Sequence, residues 1–282
     1  MLDAQFHADV LNQALPYIQQ FRGQTFVVKY GGSAMRDASL MKGVIRNVIL
    51  LHLVGIRIVL VHGGGPEIDS WLARLGFEKK VINGLRVTDD ATMEVVEMAL
   101  AGRANKQLVA EIQKAGGRAI GLSGRDADLL TAVQISPDLG RVGAITHVNA
   151  EILTVTYEAG YIPVVCSVAT DASHQALNVN ADSAAGAIAG AIKANKLILL
   201  TDTDGVLEDK NDPGTRYSRL SPSKARELIA TGKADRGMIP KLESALDALE
   251  HGVSSVQLIN GATPHALLME VFTDHGIGTM ME

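Results

Sequence analysis

The feature that most constrains this chain is a unit that occurs twice in its first third: a short β-branched stretch, a glycine cluster, then a helical stretch. Residues 25–30 end at Gly31-Gly32 and lead into apolar residues at helical spacing over 37–53. Residues 57–61 end at His62-Gly63-Gly64-Gly65-Pro66, where the proline suits a first helical turn, and a second helical stretch continues through Leu75. Two such units in succession imply parallel strands joined by helical crossovers. The second half repeats the alternation: helix over 181–193, strand over 197–201, helices over 222–230 and 239–251, strand over 255–259 and helix over 264–272. The expected fold is α/β, a three-layer αβα sandwich with a mainly parallel central sheet.

Between these halves the pattern is less regular. Thr88-Asp89 reads as the cap of a long helix ended by Gly116-Gly117. Short strands over 119–122, 129–133 and 142–145 are expected to form a smaller antiparallel arm over the sheet, before a helix over 150–159 and a strand over 161–166. The polar run 170–175 is the expected boundary between two lobes, 23–174 and 175–282. Ahead of both, Val10, Leu11, Ala14, Leu15, Ile18 and Phe21 mark one helical face, which Pro16 is expected to shorten or kink. Residues 1–22 then pack either on their own domain or on another subunit.

Composition removes several functions. The net charge is −5 and 47% of residues are hydrophobic, which argues against a disordered chain or a general nucleic-acid binder. The lone Cys166 excludes an intramolecular disulfide and any multi-cysteine metal site, and suits a reducing compartment. No apolar stretch is long enough for a membrane span, and the N-terminus does not read as a secretory signal. A cytoplasmic location is expected, or the plastid stroma if a transit peptide has been removed.

Open parallel sheets bind ligands at the carboxyl ends of their strands, where bare amides and helix N-termini meet. The glycine clusters sit there, and with Lys29 two residues before one of them they make plausible phosphate nests. There is no G-x-x-x-x-G-K-[ST] and no G-x-G-x-x-G after a strand, so neither a P-loop nor a dinucleotide fingerprint is present.

A different set of motifs is present: Lys29-Tyr30-Gly31-Gly32, Val61-His62-Gly63-Gly64-Gly65-Pro66, Asn83-Gly84-Leu85-Arg86-Val87-Thr88-Asp89, Asn178-Val179-Asn180-Ala181-Asp182, Thr201-Asp202-Thr203-Asp204-Gly205-Val206-Leu207 and Gly237-Met238-Ile239-Pro240-Lys241. In that order and spacing they resemble the N-acetylglutamate kinases of the amino-acid kinase family, over nearly the whole chain. The resemblance implies ATP and Mg²⁺ as cofactors and transfer of the γ-phosphoryl group to the side-chain carboxylate of N-acetyl-L-glutamate. It assigns catalytic roles to Lys29 and Lys241, held by Asp182. Gly31, Gly32 and Gly64 would bind phosphate, and Gly64, Gly65, Arg86 and Asn178 the substrate. Thr201, Asp202, Gly205, Val206, Leu207, Lys233 and Asp235 would bind the nucleotide. No protein ligand to the metal is assigned, and His62 is read as a structural histidine rather than a base.

The N-terminal helix and the tail 265–280 further resemble the arginine-sensitive, hexameric branch, close to the cyanobacterial and plastid type. That implies an arginine site at Tyr17, His265, Glu270, Gly276 and Gly278, a homohexamer built as a trimer of dimers, and a PII signalling protein as a partner. Asp235-Arg236 departs from the glycine common in the family. Two alternatives stay open: a relative acting on acetylaminoadipate, aspartate or glutamate, and a catalytically silent subunit that senses arginine or nucleotide.

Overall fold

The computed structural model describes residues 4–35, 37–82, 84–209, 212–235, 237–274 and 276–282. Asn83 and Arg236, singled out above, and His275, within the tail 265–280, lie outside the described residues. In chain order the strands are β1 Thr25–Tyr30, β2 Arg57–His62, β3 Val81–Ile82, β4 Leu85–Arg86, β5 Ala119–Ser123, β6 Leu130–Gln134, β7 Gly143–Val148, β8 Ile162–Cys166, β9 Val168–Thr170, β10 Ala176–Asn178, β11 Lys196–Thr201, β12 Arg219–Leu220, β13 Ser255–Asn260 and β14 Thr279–Met281. The helices are α1 Ala4–Phe21, α2 Ala38–Leu53, α3 Gly65–Leu75, α4 Asp90–Glu97, α5 Asn105–Lys114, α6 Glu151–Glu158, α7 Ala181–Ala191, α8 Pro222–Ala230, α9 Ile239–Glu250 and α10 Ala266–Val271. A π-helical segment, Met98–Ala104, joins α4 to α5.

The central sheet has eight strands in the order β12-β14-β13-β11-β1-β2-β8-β5. From β13 through β5 every pairing is parallel, and β14 runs antiparallel to β13. First-half strands fill one side and second-half strands the other, meeting where β1 pairs with β11 in the register Val27↔Leu197.

Both faces of this sheet are buried, and the period-two alternation of its strands shows why. Val27, Val59, Val61, Val165, Leu197 and Leu199 enter one core with α7 and α9, while Phe26, Val28, Ile58, Leu60, Val164 and Ile198 enter another with α2 and α5. Each such side chain contributes about 1.5–3 kcal/mol by leaving water, so the layers hold the strand ends in fixed register. The expected three-layer architecture is the one found.

Three sequence expectations are corrected. The strand at 119–122 is not part of a small arm: β5 is the edge of the central sheet, pairing with β8 from Ala119↔Ile162 to Ser123↔Cys166. The arm itself is a four-stranded sheet, β10-β9-β6-β7, and its β6–β9 pairing is parallel, so it is not wholly antiparallel. Finally, α1 is not shortened at Pro16: it runs from Ala4 to Phe21 with the proline inside it, since a proline removes only one amide donor. Residues 171–175 form the turn of the β9–β10 hairpin, with Asp171 Oδ1 accepting from the amides of Ser173 and Gln175.

Candidate active site

The carboxyl ends of β1 and β2 open into a crevice of about 300 Å³, lined among others by Lys29, Gly31, Gly64, Arg86, Asn178 and Asp182. Lys29 occupies the penultimate position of β1, so its register with Val61 and Leu199 fixes it beside the first glycine turn. Asp182 comes from the first turn of α7. Asn180 caps that helix, its Oδ1 accepting from the amides of Asp182 and Ser183, and the cap directs the carboxylate back over the sheet. Lys241 arrives from the first turn of α9.

These three side chains form one ion triad, with Lys29 and Asp182 buried and Lys241 half-buried. Lys29 Nζ lies 2.8 Å from Asp182 Oδ1 and Lys241 Nζ lies 3.3 Å from Asp182 Oδ2. Lys241 Nζ also donates to the Gly237 carbonyl at 3.3 Å. Burial alone would raise the Asp182 pKa, but the two ammonium groups outweigh it and hold the carboxyl below its ordinary range. A side chain at Gly31 would meet Lys29 Nζ at 2.8 Å, so only glycine leaves the ammonium its place over the turn.

Across the crevice, β4 brings in Arg86. Its Nη2 donates to the Asp69 carboxylate and lies 3.4 Å from the Gly65 carbonyl oxygen. Its Nη1 is buried and has no hydrogen-bond partner among the described residues. A buried guanidinium N–H of this kind is costly unless something accepts from it, and an anion seated in the crevice would do so. Asn178 stands next to it: Asn178 Nδ2 donates to Thr88 Oγ1 at 3.1 Å, and Thr88 Oγ1 donates to the Arg86 carbonyl at 3.0 Å. In the sequence Thr88 stands out only as half of a helix cap. The cap is Asp89 alone, which leaves Thr88, fully buried, to tie the two substrate-side candidates together.

The residues expected at the nucleotide form a second group, at the carboxyl end of β11. Thr201 Oγ1 donates to the Thr203 carbonyl at 2.7 Å, and the Val206 amide donates to Thr279 Oγ1 at 2.8 Å. The Val206 side chain is inside the core, so only its backbone faces the loop. Gly205 has φ 118°, and Leu207 bridges to Arg216. Asp202 lies against Gly32, which brings this loop to the first glycine turn. Lys233 is exposed, and Asp235 spends one oxygen on the amides of Gly237 and Met238.

Of the residues expected at an arginine site, Tyr17, Glu270, Gly276 and Gly278 lie at a third place, where α1 meets the C-terminal segment, and His265 lies against α2. The Tyr17 hydroxyl donates to Asp274, and its ring lies 6.5 Å from that of Phe272. That hydrogen bond, more than desolvation, raises the Tyr17 pKa. Glu270 Oε2 accepts from the amides of Ile277 and Gly278 at 2.8 and 3.3 Å, and Gly276 lies against the same carboxylate. His265 Nδ1 is 3.3 Å from Asn47 Oδ1. Sequence reasoning missed Lys196, whose ammonium sits 5.3 Å over the Phe21 ring and whose pKa is lowered by burial against the pull of Glu270 and Glu282. At the start of an apolar strand it carried no signal but its charge.

Residues 24–260 match the family model described as the amino acid kinase family. The chain belongs to the amino acid kinase family. Within it, the chain is 55% identical over 273 residues to the acetylglutamate kinase of Nostoc sp., covering 96% of this chain and 92% of that protein. It is 52% identical over 282 residues to the acetylglutamate kinase of Thermosynechococcus vestitus, covering 100% and 96%. Among solved structures, it is similar to N-acetylglutamate synthase from Neisseria gonorrhoeae complexed with coenzyme A and N-acetyl-glutamate, with a TM-score of 0.84 and 30% identity over 97% of this chain. It spans 63% of the length of that synthase. The same synthase complexed with coenzyme A and L-arginine gives a TM-score of 0.81 at 28% identity, covering 97% of this chain and 65% of that one.

Proposed function

We infer that this chain is an acetylglutamate kinase, transferring a phosphoryl group from ATP to the side-chain carboxylate of N-acetyl-L-glutamate in arginine biosynthesis. The observation that carries the mechanism is the convergence of Lys29 and Lys241 on one buried carboxylate in the crevice that Arg86 lines. The acceptor carboxylate, with a pKa near ~4.3, is ionised at neutral pH and needs no general base. The obstacle is repulsion between an anion and a triphosphate, and fixed positive charge with pre-aimed amides lowers it. Lys29 faces the phosphoryl group in transit and Lys241 the nucleotide side. Asp182 keeps both ammonium groups aimed. Gly31, Gly32 and Gly64 offer amides to phosphate oxygens, and Gly64 and Gly65 to the reacting carboxylate. The free Arg86 Nη1 and Asn178 hold the rest of the substrate.

Magnesium fits this site as a passenger on the nucleotide. Asp182 is committed to two lysines, and no group of three His, Cys, Asp or Glu converges among the described residues. Phosphate oxygens and water would supply most of its ligands, and the ion would supply charge neutralisation. Residues 201–207 with Lys233 and Asp235 line the nucleotide. We assign 23–174 to acetylglutamate and dimer contacts and 175–282 to ATP and arginine; the order of the central sheet on either side of the β1–β11 pairing supports this division, while β10 crosses it to pair with β9.

The test is ADP release by purified protein with ATP and magnesium, compared across N-acetyl-L-glutamate, acetylaminoadipate, glutamate and aspartate. Release that depends on N-acetyl-L-glutamate is expected; none above background would reject the reading. Arg86→Ala should raise the KM for N-acetyl-L-glutamate roughly 10- to 100-fold and move the KM for ATP far less, and steady-state kinetics in both substrates checks this.

A second reading concerns control. Tyr17, Lys196 and Glu270 offer acceptors and donors suited to an amino acid with a guanidinium group near the junction of α1 with the C-terminal segment, and His265 would join them from the start of α10. Phe6, Val10, Leu11 and Leu15 leave an apolar stripe on α1 exposed, as a helix that pairs with a second copy would. This supports arginine inhibition and a hexamer joined through α1, with PII as a further partner in a reducing compartment such as the cytoplasm. Deleting residues 1–22 should abolish arginine inhibition and reduce the hexamer to dimers. Light scattering with an arginine titration decides it, and retention of both properties would refute this reading.

A further inference from the structure

Directly behind the second glycine turn lies a buried polar junction that takes no part in the phosphoryl transfer itself. His62, the last residue of β2, is fully buried; its Nδ1 is 2.8 Å from the Gly63 carbonyl oxygen and its Nε2 is 3.1 Å from Asn105 Nδ2. Asn105 is also fully buried. Its Nδ2 lies 2.8 Å from the Val164 carbonyl oxygen and 3.2 Å from that of Leu122, while its Oδ1 accepts from Lys106 Nζ at 3.2 Å. An amide nitrogen has only protons to offer, so His62 Nε2 accepts and Nδ1 carries the proton that goes to Gly63. Desolvation, opposed by the Gly63 bond and aided by the nearby Lys106 charge, lowers the His62 pKa to about 4 and keeps the ring neutral.

Two further contacts converge there. Asn105 is the first residue after the π-helical segment, and Leu100 of that segment abuts the glycine turn, with a side chain at Gly64 meeting Leu100 Cδ2 at 2.5 Å. On the opposite side Gly121 of β5 leaves the space that Asn105 Oδ1 fills. A π turn adds a residue to the helix and rotates the next turn about the axis, a device often found beside functional sites. Here it allows one helix to press Leu100 on the turn and to aim Asn105 at three adjacent strands, β2, β8 and β5.

We propose that Asn105 and His62, set by the π segment, are positioning residues that hold the Gly63–Gly65 turn with its amides directed at the acceptor carboxylate. The inference rests on the kinase reading for its substrate and on geometry alone for the rigidity of the turn. Neither side chain touches substrate. Losing the tie lets the turn relax, and displacement of a bound reactant by an ångström can cost about 100-fold in rate.

The test uses full-length protein. Asn105→Ala, Leu100→Ala, His62→Asn and His62→Gln are compared with wild type in steady-state kinetics for both substrates and in hydrogen exchange of peptides covering 62–66. Asn105→Ala and Leu100→Ala are expected to speed exchange at 62–66 and to lower kcat/KM for N-acetyl-L-glutamate by roughly 10- to 100-fold, with the KM for ATP near wild type. His62→Asn keeps a donor for the Gly63 carbonyl where Nδ1 stood, and should lose less than His62→Gln, whose amide reaches the Nε2 position instead. A merely structural role would shrink the active fraction, scaling kcat and leaving both KM values and the order of the two His62 variants indifferent; that result overturns the proposal, as does unchanged exchange at 62–66 in every variant that folds. Wild-type protein without acetylglutamate-dependent turnover, but with faster exchange at 62–66 in the variants, would instead sink the kinase reading and leave the positioning role standing.

Discussion

Lys29→Ala is expected to lower kcat by about 100- to 1,000-fold, the usual loss when one preorganised donor to transition-state charge is removed. The reasoning is electrostatic. Lys29 is 8% exposed, so its charge acts through a medium that screens it poorly, and its place 2.8 Å from Asp182 is fixed before any substrate arrives. The charge it would meet develops as the phosphoryl group passes between two oxygens, so the loss should fall on kcat more than on either KM. Lys29→Arg should recover little, because a planar fork cannot occupy the space above Gly31 that the ammonium fills. Steady-state kinetics decides the matter, and a kcat within a few-fold of wild type would remove Lys29 from the reaction path.

Asp182→Asn should have the largest effect on stability. The substitution keeps shape but leaves two ammonium groups close together without a counter-charge in a buried site, a loss of about 3–5 kcal/mol. Urea unfolding at neutral pH measures it. The pH dependence has a definite sign. Because the folded-state pKa of Asp182 is depressed, its stabilisation is fully present above the unfolded value, near ~3.9, and is lost as pH falls through the folded value. The gap between wild type and Asp182→Asn should therefore be constant from neutral pH down to about 5 and narrow below about 4. A gap that widened on acidification would mean the carboxyl is protonated in the native state.

Much of this was legible in the sequence because it is local. Strand, glycine turn and helix succeed one another along the chain at 25–53 and 57–75, and their periodicities change from two to helical spacing where the structure changes. Lys29, Arg86, Asp182 and Lys241 stand in recognisable motifs; the fold brings the first three to one crevice, and Lys241 meets them through its ion pair with Asp182. The hidden part depends on pairing between distant segments. The stretch Ala119–Ser123 alternates like many short strands, and nothing in it says that its partner is Ile162–Cys166 rather than its neighbours in the chain. Asn105 sits in the middle of a long helical pattern, where a polar residue reads as solvent-facing. Only the π segment and the gap over Gly121 turn it inward, and neither has a spacing that sequence can reveal.

The position of β1 has a consequence for the chain's birth. One of its flanks is covered as soon as β2 emerges, but the other waits for β11, whose Leu197 pairs with Val27 across most of the polypeptide. At a synthesis rate of about 5–20 residues per second, that flank stays open for roughly ten to thirty seconds, with Phe26, Val27 and Val28 along it. Until its last third has been made, such a chain carries an unpaired strand edge of the kind that templates association with other chains, and long-range parallel pairing of this sort closes slowly.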